Sequence, residues 1–142
     1  DVNLVASTSG TDCDWIVKVI DVFPDTMRTR PNPRRAVLGG YQMLVRGDVL
    51  RGKFRNSLSK PEPFMPNKAT PVNYMLQDAF HTFKKGHRIM VQIQSTWFPM
   101  IDRNPGKFMD IYKAKASDFQ KTTQRIYRNA KSASHITFGV MK

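Results

Sequence analysis

The sequence predicts an all-β sandwich. Roughly six to eight short segments show the period-two alternation of apolar and polar residues that is typical of strands with one buried face. Glycine, proline, asparagine and aspartate separate these segments, as expected of turns. The composition, 40% hydrophobic and 11% aromatic, is that of a globular protein. A length of 142 residues suits one domain, so residues 1–142 are predicted to form one unit.

The predicted strands follow one another in chain order with turn residues between them. Those with clear alternation or β-branched runs are Val2–Ala6, Trp15–Phe23, Val72–Leu76, Ile89–Thr96 and Ile136–Val140. Two further pieces, 41–46 and 49–54, are joined at Gly47-Asp48, where the spacing allows a tight hairpin or a bulge.

Several segments between the strands are predicted as loops. Residues 26–35 carry four arginines and two prolines, and residues 60–66 are proline-rich, so both are expected to be exposed. Between residues 117 and 127, Ser117-Asp118 could cap a short helix, but the β-branched residues that follow favour a loop followed by a strand.

The stretch from Lys84 to Pro105 stands out in this pattern. Its first half is a predicted strand, and Trp97-Phe98-Pro99 then places two large aromatic residues just beyond the strand end. The turn-prone residues 102–105 close the segment. A surface loop with this much apolar area is expected to be covered by something else.

Charge and cysteine content restrict the function classes only partly. The net charge is +12, with 23 Lys and Arg residues against 11 Asp and Glu. Such an excess could attract nucleic acid, an anionic membrane or an acidic protein surface, although a solvated basic surface is the simpler expectation.

No apolar run approaches the roughly 18 residues of a membrane span. Cys13 is the single cysteine, which excludes an intrachain disulfide. The chain begins with Asp1 and lacks a signal-peptide pattern, which suggests a mature product or, more readily, a part of a longer protein.

Two motif matches are interpreted as coincidences. Residues 47–53 fit the spacing of a phosphate-binding loop, but Phe54 stands where a Ser or Thr should hold magnesium, and no helix is predicted to follow. Residues 57–60 fit S-x-x-K without the companion motifs that such a serine nucleophile requires. A glycine-bounded strand and a turn before Pro61 explain them.

No catalytic or metal-binding set is predicted. The sequence has no G-x-S-x-G, H-x-x-x-H, C-x-x-C or EF-hand pattern, and Asp12-x-Asp14 alone is too common to indicate a metal. The two aspartates should raise the pKa of Cys13 and lower its reactivity. Structural or interface roles are favoured for the three histidines, which are His81, His87 and His135.

The C-terminal third interleaves basic and aromatic residues. Lys113, Lys115, Lys121, Arg125, Arg128 and Lys131 lie among Tyr112, Phe119 and Tyr127. Aromatic residues that stack bases in a basic groove are a device of single-strand binding proteins. Solvated lysines over a core built from the same rings are the favoured interpretation, and no RNP-like run is present.

Several of these segments together resemble a known family. The residues that carry the resemblance are 11–25 (TDCDWIVKVIDVFPD), 40–57 (GYQMLVRGDVLRGKFRNS), 83–89, 95–99 (STWFP), 102–105 (DRNP) and 134–136. In this order they are similar to the C-terminal, non-catalytic domain shared by cocaine esterases, α-amino acid ester hydrolases and X-prolyl dipeptidyl peptidases. In that family, Cys13 is more often alanine.

The resemblance implies a jelly-roll sandwich of the galactose-binding-domain type, packed against the α/β-hydrolase catalytic domain of the same parent chain. The hydrolase domain carries the Ser, Asp and His, so the resemblance transfers no catalytic, cofactor-binding or metal-binding residue to this chain. It also implies that the chain begins after the first strand or strands of the family domain. An unpaired edge left there could pair with another chain.

The expected interdomain contacts are Trp97, Phe98, Pro99, Asp102, Arg103 and Asn104. The alternative for Trp97 and Phe98 is that they only close the end of the sandwich. The expected function is that of an accessory domain supporting a serine hydrolase that acts on esters or amides, without hydrolytic activity of its own. Neither nucleic acid nor membrane is an expected partner, and a homo-oligomer stays open. The alternative function is a free-standing carbohydrate- or polyanion-binding module.

Overall fold

The computed structural model describes residues 1–27 and 37–141. Within these ranges, nine strands run in chain order: β1 (Val2–Thr8), β2 (Asp14–Val22), β3 (Gln42–Arg51), β4 (Thr70–Tyr74), β5 (Arg88–Gln94), β6 (Gln124–Ile126), β7 (Arg128–Asn129), β8 (Ser132–Ala133) and β9 (His135–Ile136). The same ranges contain single-turn 3₁₀ helices at Gly52–Phe54, Ile111–Lys113 and Ala116–Asp118. Within the described residues, no helix has the length and apolar character needed to cross a membrane.

Two antiparallel sheets form the sandwich, which confirms the predicted fold class. Sheet I has the order β4-β1-β6, with β9 also paired to β1. Sheet II has the order β3-β2-β5, so β2 is its central strand. The short strands β7 and β8 pair separately as a hairpin.

The core lies between the inner faces of the two sheets. Sheet I contributes Val2, Leu4, Ala6 and Val72, and sheet II contributes Trp15 and Val17, joined by Cys13 and Phe64 from the connections. The alternation predicted for β1 places its even-numbered residues in this core. Phe64 comes from the proline-rich segment that the sequence predicts to be an exposed loop, yet its side chain is only 2% exposed.

The strand β2 is buried on both faces. Eight of its nine residues are buried, and only Lys18 is partly accessible. Burial on two faces explains why this strand is a nearly continuous apolar run instead of an alternating one. One side therefore packs against sheet I, and the other side is covered by something outside the two sheets.

Of the two alternatives predicted at Gly47-Asp48, the tight hairpin is wrong, and a bulge-type irregularity occurs nearby. β3 continues through both residues and pairs with β2 along its whole length. The pairing is irregular two residues earlier, where Arg46 and Leu44 lie opposite consecutive β2 residues and Val45 is skipped. The long partner strand holds β3 extended, and Gly47 serves packing instead of a turn, as shown below.

Two other strand predictions require correction. The last strand ends at Ile136, and Phe138 and Val140 are 48% and 84% exposed instead of buried. β5 forms as predicted, but of its three alternating apolar residues only Ile93 packs against the core, while Ile89 and Val91 are 57% and 40% exposed. The prediction of a loop followed by a strand over 117–127 is confirmed by β6. The predicted arginine-rich loop lies mostly outside the described residues.

Candidate functional site

Residues 97–104, here called the docking segment, follow β5 and cross the outer face of sheet II. The Trp97 indole is half-buried, and the Lys18 ammonium lies 4.2 Å from its ring centroid. A Cβ atom on Gly47 would lie 3.0 Å from Cη2 of the same ring. Gly47 therefore leaves space for Trp97. Lys18 is paired with Gly47 across the sheet, which fixes the place where the indole rests.

The next residues of the docking segment point away from the sheet. Phe98 is 65% exposed and Met100 is 72% exposed, and Pro99 between them is also exposed. The Arg103 guanidinium lies 5.8 Å from the Phe98 ring and 5.6 Å from the Phe119 ring. The segment thus presents an apolar and aromatic surface with an exposed cation beside it.

Hydrogen bonds attach the docking segment to sheet II. Arg51 Nη2 donates to the Asp102 carbonyl oxygen over 3.3 Å. Asn104 Nδ2 donates to Asp14 Oδ1 over 3.0 Å, and Asn104 Oδ1 accepts the Gly106 N–H over 2.8 Å. Asn104 is therefore a bridge between the segment and the first residue of β2, whereas the Asp102 side chain is exposed.

Two buried carboxyl groups lie beneath the end of the segment. Asp12 and Asp14 are 0% and 1% exposed, and Oδ2 of each has no hydrogen-bond partner among the described residues. Burial raises the pKa of Asp14 to about 6, although the Asn104 hydrogen bond and the positive charge of Arg51 oppose that shift. Burial raises the pKa of Asp12 as well. These groups take up protons more readily than exposed aspartates.

A cavity of about 180 Å³ adjoins this pair. Its walls include Asp12, Ser95, Thr96, Arg103, Asn104 and Phe119. The space is sufficient for ordered water that could donate to the unpaired oxygen of Asp12. The wall is polar and contains one aromatic ring, and Arg103 and Asn104 belong both to it and to the docking segment.

The histidines and the cysteine have structural environments. His81 Nε2 and His87 Nδ1 lie 2.9 and 2.8 Å from the two oxygens of Asp21, which is 1% exposed. Burial raises the pKa of Asp21, but the two histidine hydrogen bonds outweigh burial and hold that pKa below its usual range. Burial, followed by the charges of Asp12 and Asp14, raises the pKa of the Cys13 thiol, in the direction that the sequence predicts.

The two motif coincidences have structural explanations. Lys53, at the end of the phosphate-loop-like spacing, is 9% exposed and donates to the Met109 carbonyl oxygen over 2.9 Å. Ser57 Oγ accepts the backbone N–H of Lys60, so the S-x-x-K spacing forms a turn. Across the described ranges, no group of three or more His, Cys, Asp or Glu residues is placed to hold a metal ion.

Sequence reasoning singled out residues 97–99 and 102–104 but missed how they are attached to sheet II. The contact between Asp14 and Asn104 joins residues 90 positions apart, and the sequence contains no local pattern for it. The one available signal was the pair Asp12 and Asp14, which lies at the start of a mainly apolar strand. Charged residues in such a place require partners.

Comparison with known proteins assigns the family. Residues 1–137 match the family described as X-Pro dipeptidyl-peptidase C-terminal non-catalytic domain. Cocaine esterase of Rhodococcus sp. (strain MB1 Bresler) is 28% identical over 139 residues, covering 98% of this chain and 22% of the esterase.

Two solved structures are similar in sequence and in fold. An aminopeptidase from the marine sediment archaeon Thaumarchaeota archaeon has 43% identity and a TM-score of 0.83 over 94% of this chain and 21% of its own. A selenomethionine-labelled α-amino acid ester hydrolase has 41% identity and a TM-score of 0.83 over 94% of this chain and 22% of its own. The chain thus spans about a fifth of the length of these relatives. It belongs to the family of X-Pro dipeptidyl-peptidase C-terminal non-catalytic domains, which is the family that its sequence segments resemble.

Proposed function

We propose that residues 1–142 form an accessory domain that packs against the α/β-hydrolase catalytic domain of the same parent protein. The parent is a serine hydrolase acting on esters or amides, among them α-amino acid esters and X-Pro peptides. In that parent the catalytic serine, aspartate and histidine belong to the hydrolase domain, and this chain supports the walls of the active site. The relatives' coverage supports this proposal, because each is an enzyme or hydrolase several times longer than this chain.

The observation that carries the docking proposal is the exposure of Phe98 and Met100 on a segment anchored to sheet II. Large apolar side chains held in place at the surface are typical of interface anchors. Leu44, which is 47% exposed, adds to the same outer face. Arg103 provides a cation that an acidic or carbonyl-rich surface of the partner can bind.

The opposite side of the sandwich is less suited to docking. The alternation of sheet I points mainly polar side chains outward, among them Asn3, Asn73, Arg125 and His135. These groups are compatible with solvent. The contrast between the two outer faces supports placing the hydrolase domain on sheet II.

The structure gives the six predicted contact residues different positions for this role. Phe98, Pro99 and Arg103 are exposed and available to a partner. Trp97 and Asn104 are half-buried and make contacts within the chain, so they position the segment. Asp102 contributes its carbonyl oxygen to Arg51 while its side chain faces solvent.

The test is Phe98→Asp in the full-length parent enzyme. Burying a phenylalanine stabilises by about 1.5–3 kcal/mol, and a carboxylate in its place would have to lose its hydration to enter the interface. We expect a lower unfolding temperature of the hydrolase domain and reduced kcat/KM. The matched control is Leu58→Asp, which changes another exposed apolar residue, 84% accessible, outside the docking segment. Equal behaviour of the two variants would contradict the docking role.

The activity part of the proposal has its own measurement. The 142-residue chain is expected to hydrolyse neither an α-amino acid ester nor an X-Pro p-nitroanilide, whereas the parent enzyme cleaves one of them. Hydrolysis by the purified chain at a rate that follows its concentration through chromatography would overturn the accessory role.

A further inference from the structure

The strand β5 forms an open edge of sheet II. The strand order β3-β2-β5 gives β5 one strand partner among the described residues, namely β2. The other side of an edge strand presents unpaired N–H and C=O groups. Its seven residues, RIMVQIQ, include no proline, glycine or lysine, and its register with β2 has no bulge. Apart from Arg88 at its beginning, β5 therefore lacks the residue types and the bulge that usually protect an edge from pairing.

The side chains of β5 indicate that this edge is normally covered. Val91 and Ile89 lie opposite Val19 and Asp21, which places them on the inner face together with Ile93. Only Ile93 reaches the core cluster, and Val91 and Ile89 are 40% and 57% exposed. An inner face that remains exposed at one edge has room for another strand carrying apolar side chains.

A third apolar side chain lies at the same end of sheet II. Phe80 is 97% exposed and adjoins His81, whose imidazole bonds Asp21, the strand partner of Ile89. Phe80 thus adds exposed apolar area on the connection that leads into β5. Several large apolar side chains exposed at one end of a sheet indicate an interaction site more strongly than a single one does.

Positive charge borders the edge at its beginning. Lys84, Lys85 and Arg88 are all exposed, and within the described part of the chain none of the three has a carboxylate at salt-bridge distance. A strand with acidic residues near this end would complement these cations, and such charge pairs across strands are favourable.

From these features we infer that β5 pairs with an additional strand supplied by the hydrolase part of the parent protein. This inference rests on the proposed function and adds backbone pairing to side-chain docking. The incoming strand alternates apolar residues, which cover Val91 and Ile89, with polar residues, and it carries acidic residues near Arg88. Main-chain hydrogen bonds supply the affinity, and the apolar residues fix the register.

A second copy of this chain is a less suitable occupant. Each copy carries a net charge of +12, so pairing two edges brings like charges together. In a twofold antiparallel pair, Arg88 would face the Gln94 end of the other β5, which provides no carboxylate. The charge at the edge therefore favours an acidic strand of different sequence.

The test is amide hydrogen exchange in the full-length parent protein, read by mass spectrometry at single-residue resolution. Pairing with β2 alone protects alternate amides of β5, whereas pairing on both edges protects all of them. We expect the second set of amides to exchange about 100-fold or more slowly than exposed amides. Val91→Lys should restore fast exchange at that second set, while Asn73→Lys, at an exposed position of sheet I, should leave it slow.

Each result decides the inference. Fast exchange at alternate β5 amides in the unmodified protein would overturn it, and so would protection that disappears on dilution, because that result identifies a second copy. If Phe98→Asp destabilises the hydrolase domain while those amides exchange fast, strand pairing fails and the proposed function stands. If Phe98→Asp has no effect while all β5 amides are protected, the docking segment is wrong and the strand pairing holds.

Discussion

Replacing Asp14 by Asn removes a buried carboxyl group whose ionisation opposes folding. The side chain is 1% exposed, and burial raises its pKa to about 6. An aspartate in an unfolded chain has a pKa of about 3.9. The folded state therefore holds a proton over a range in which the unfolded state has released it. The contribution of Asp14 to the free energy of unfolding is therefore largest at low pH and decreases as the pH rises from about 4 to about 6.

The size of the effect follows from the difference between the two pKa values. A difference of about 2 units at about 1.4 kcal/mol per unit corresponds to about 3 kcal/mol in the free energy of unfolding. Asn is close in shape to Asp and its carbonyl oxygen can still accept from Asn104 Nδ2, so the attachment of the docking segment is retained. The variant does lose the charge that faces Arg51 Nε at 3.5 Å, which reduces the gain at neutral pH.

Urea unfolding of the wild-type chain and of Asp14→Asn at pH 4, 5, 6 and 7 measures this effect. The free energy of unfolding of the wild type should fall relative to the variant by up to about 3 kcal/mol between pH 4 and pH 7. Asp21 has a lowered pKa, so its contribution is lost only below about pH 4 and is common to both proteins. Asn73→Ala, which changes an exposed residue without a titratable side chain, is the control and should give a constant difference. If the difference in free energy of unfolding between Asp14→Asn and the wild type were also independent of pH, the raised pKa of Asp14 would be refuted.

Three further outcomes test the packing. Phe64→Ala should lower the free energy of unfolding by about 3–5 kcal/mol in chemical denaturation, because the ring is 2% exposed, whereas Phe80→Ala, at 97% exposure, should change it by less than about 0.5 kcal/mol. Gly52→Ala should be strongly destabilising, because its Cβ would lie 2.5 Å from both the Cys13 carbonyl oxygen and the Phe64 ring, while Gly139→Ala meets nothing within 4 Å. A thiol reagent should label Cys13 at the rate of unfolding in native buffer and within seconds in urea, since the thiol is 2% exposed and its pKa is raised; fast native labelling would contradict this.

The pattern of apolar and polar residues within one segment was sufficient to predict a strand where that strand's burial follows from its own sequence. The alternation of β1 and the nearly continuous apolar run of β2 identified both strands, although burial of β2 on both faces was not predicted. The same rule failed for Val91, because period two indicates a face but not whether another layer covers it. It failed for Gly47, because glycine between two apolar pieces suggests a turn, whereas its actual role depends on Trp97, which lies 50 residues away.

The candidate site likewise has one part that the sequence predicted and one part that it did not. The aromatic residues of the docking segment were visible in the sequence, since large apolar residues beyond a strand end are unusual in a loop. The carboxyl groups beneath the segment were not recognised as a site, because two aspartates beside a cysteine resemble an ordinary polar turn. Their burial depends on Asn104 and Arg51, which approach from two different parts of the chain. Tertiary contacts of this kind leave no spacing rule in the sequence.

Some residues of the docking segment pack against this chain and support its fold, whereas others are exposed and free to contact a partner. β2 is buried on both faces although the sandwich has only two sheets, so its outer side needs a third layer. The segment supplies part of that layer where Trp97 rests on Lys18 and Gly47. Replacing Trp97 therefore loosens the sheet as well as any interface, and loss of activity in Trp97→Ala would not distinguish the two causes. Phe98 makes its one described ring contact with Arg103, so its replacement isolates the interface. If Phe98→Asp lowers the stability of the contact between the two domains more than it lowers the free energy of unfolding of this chain alone, the two roles are separate.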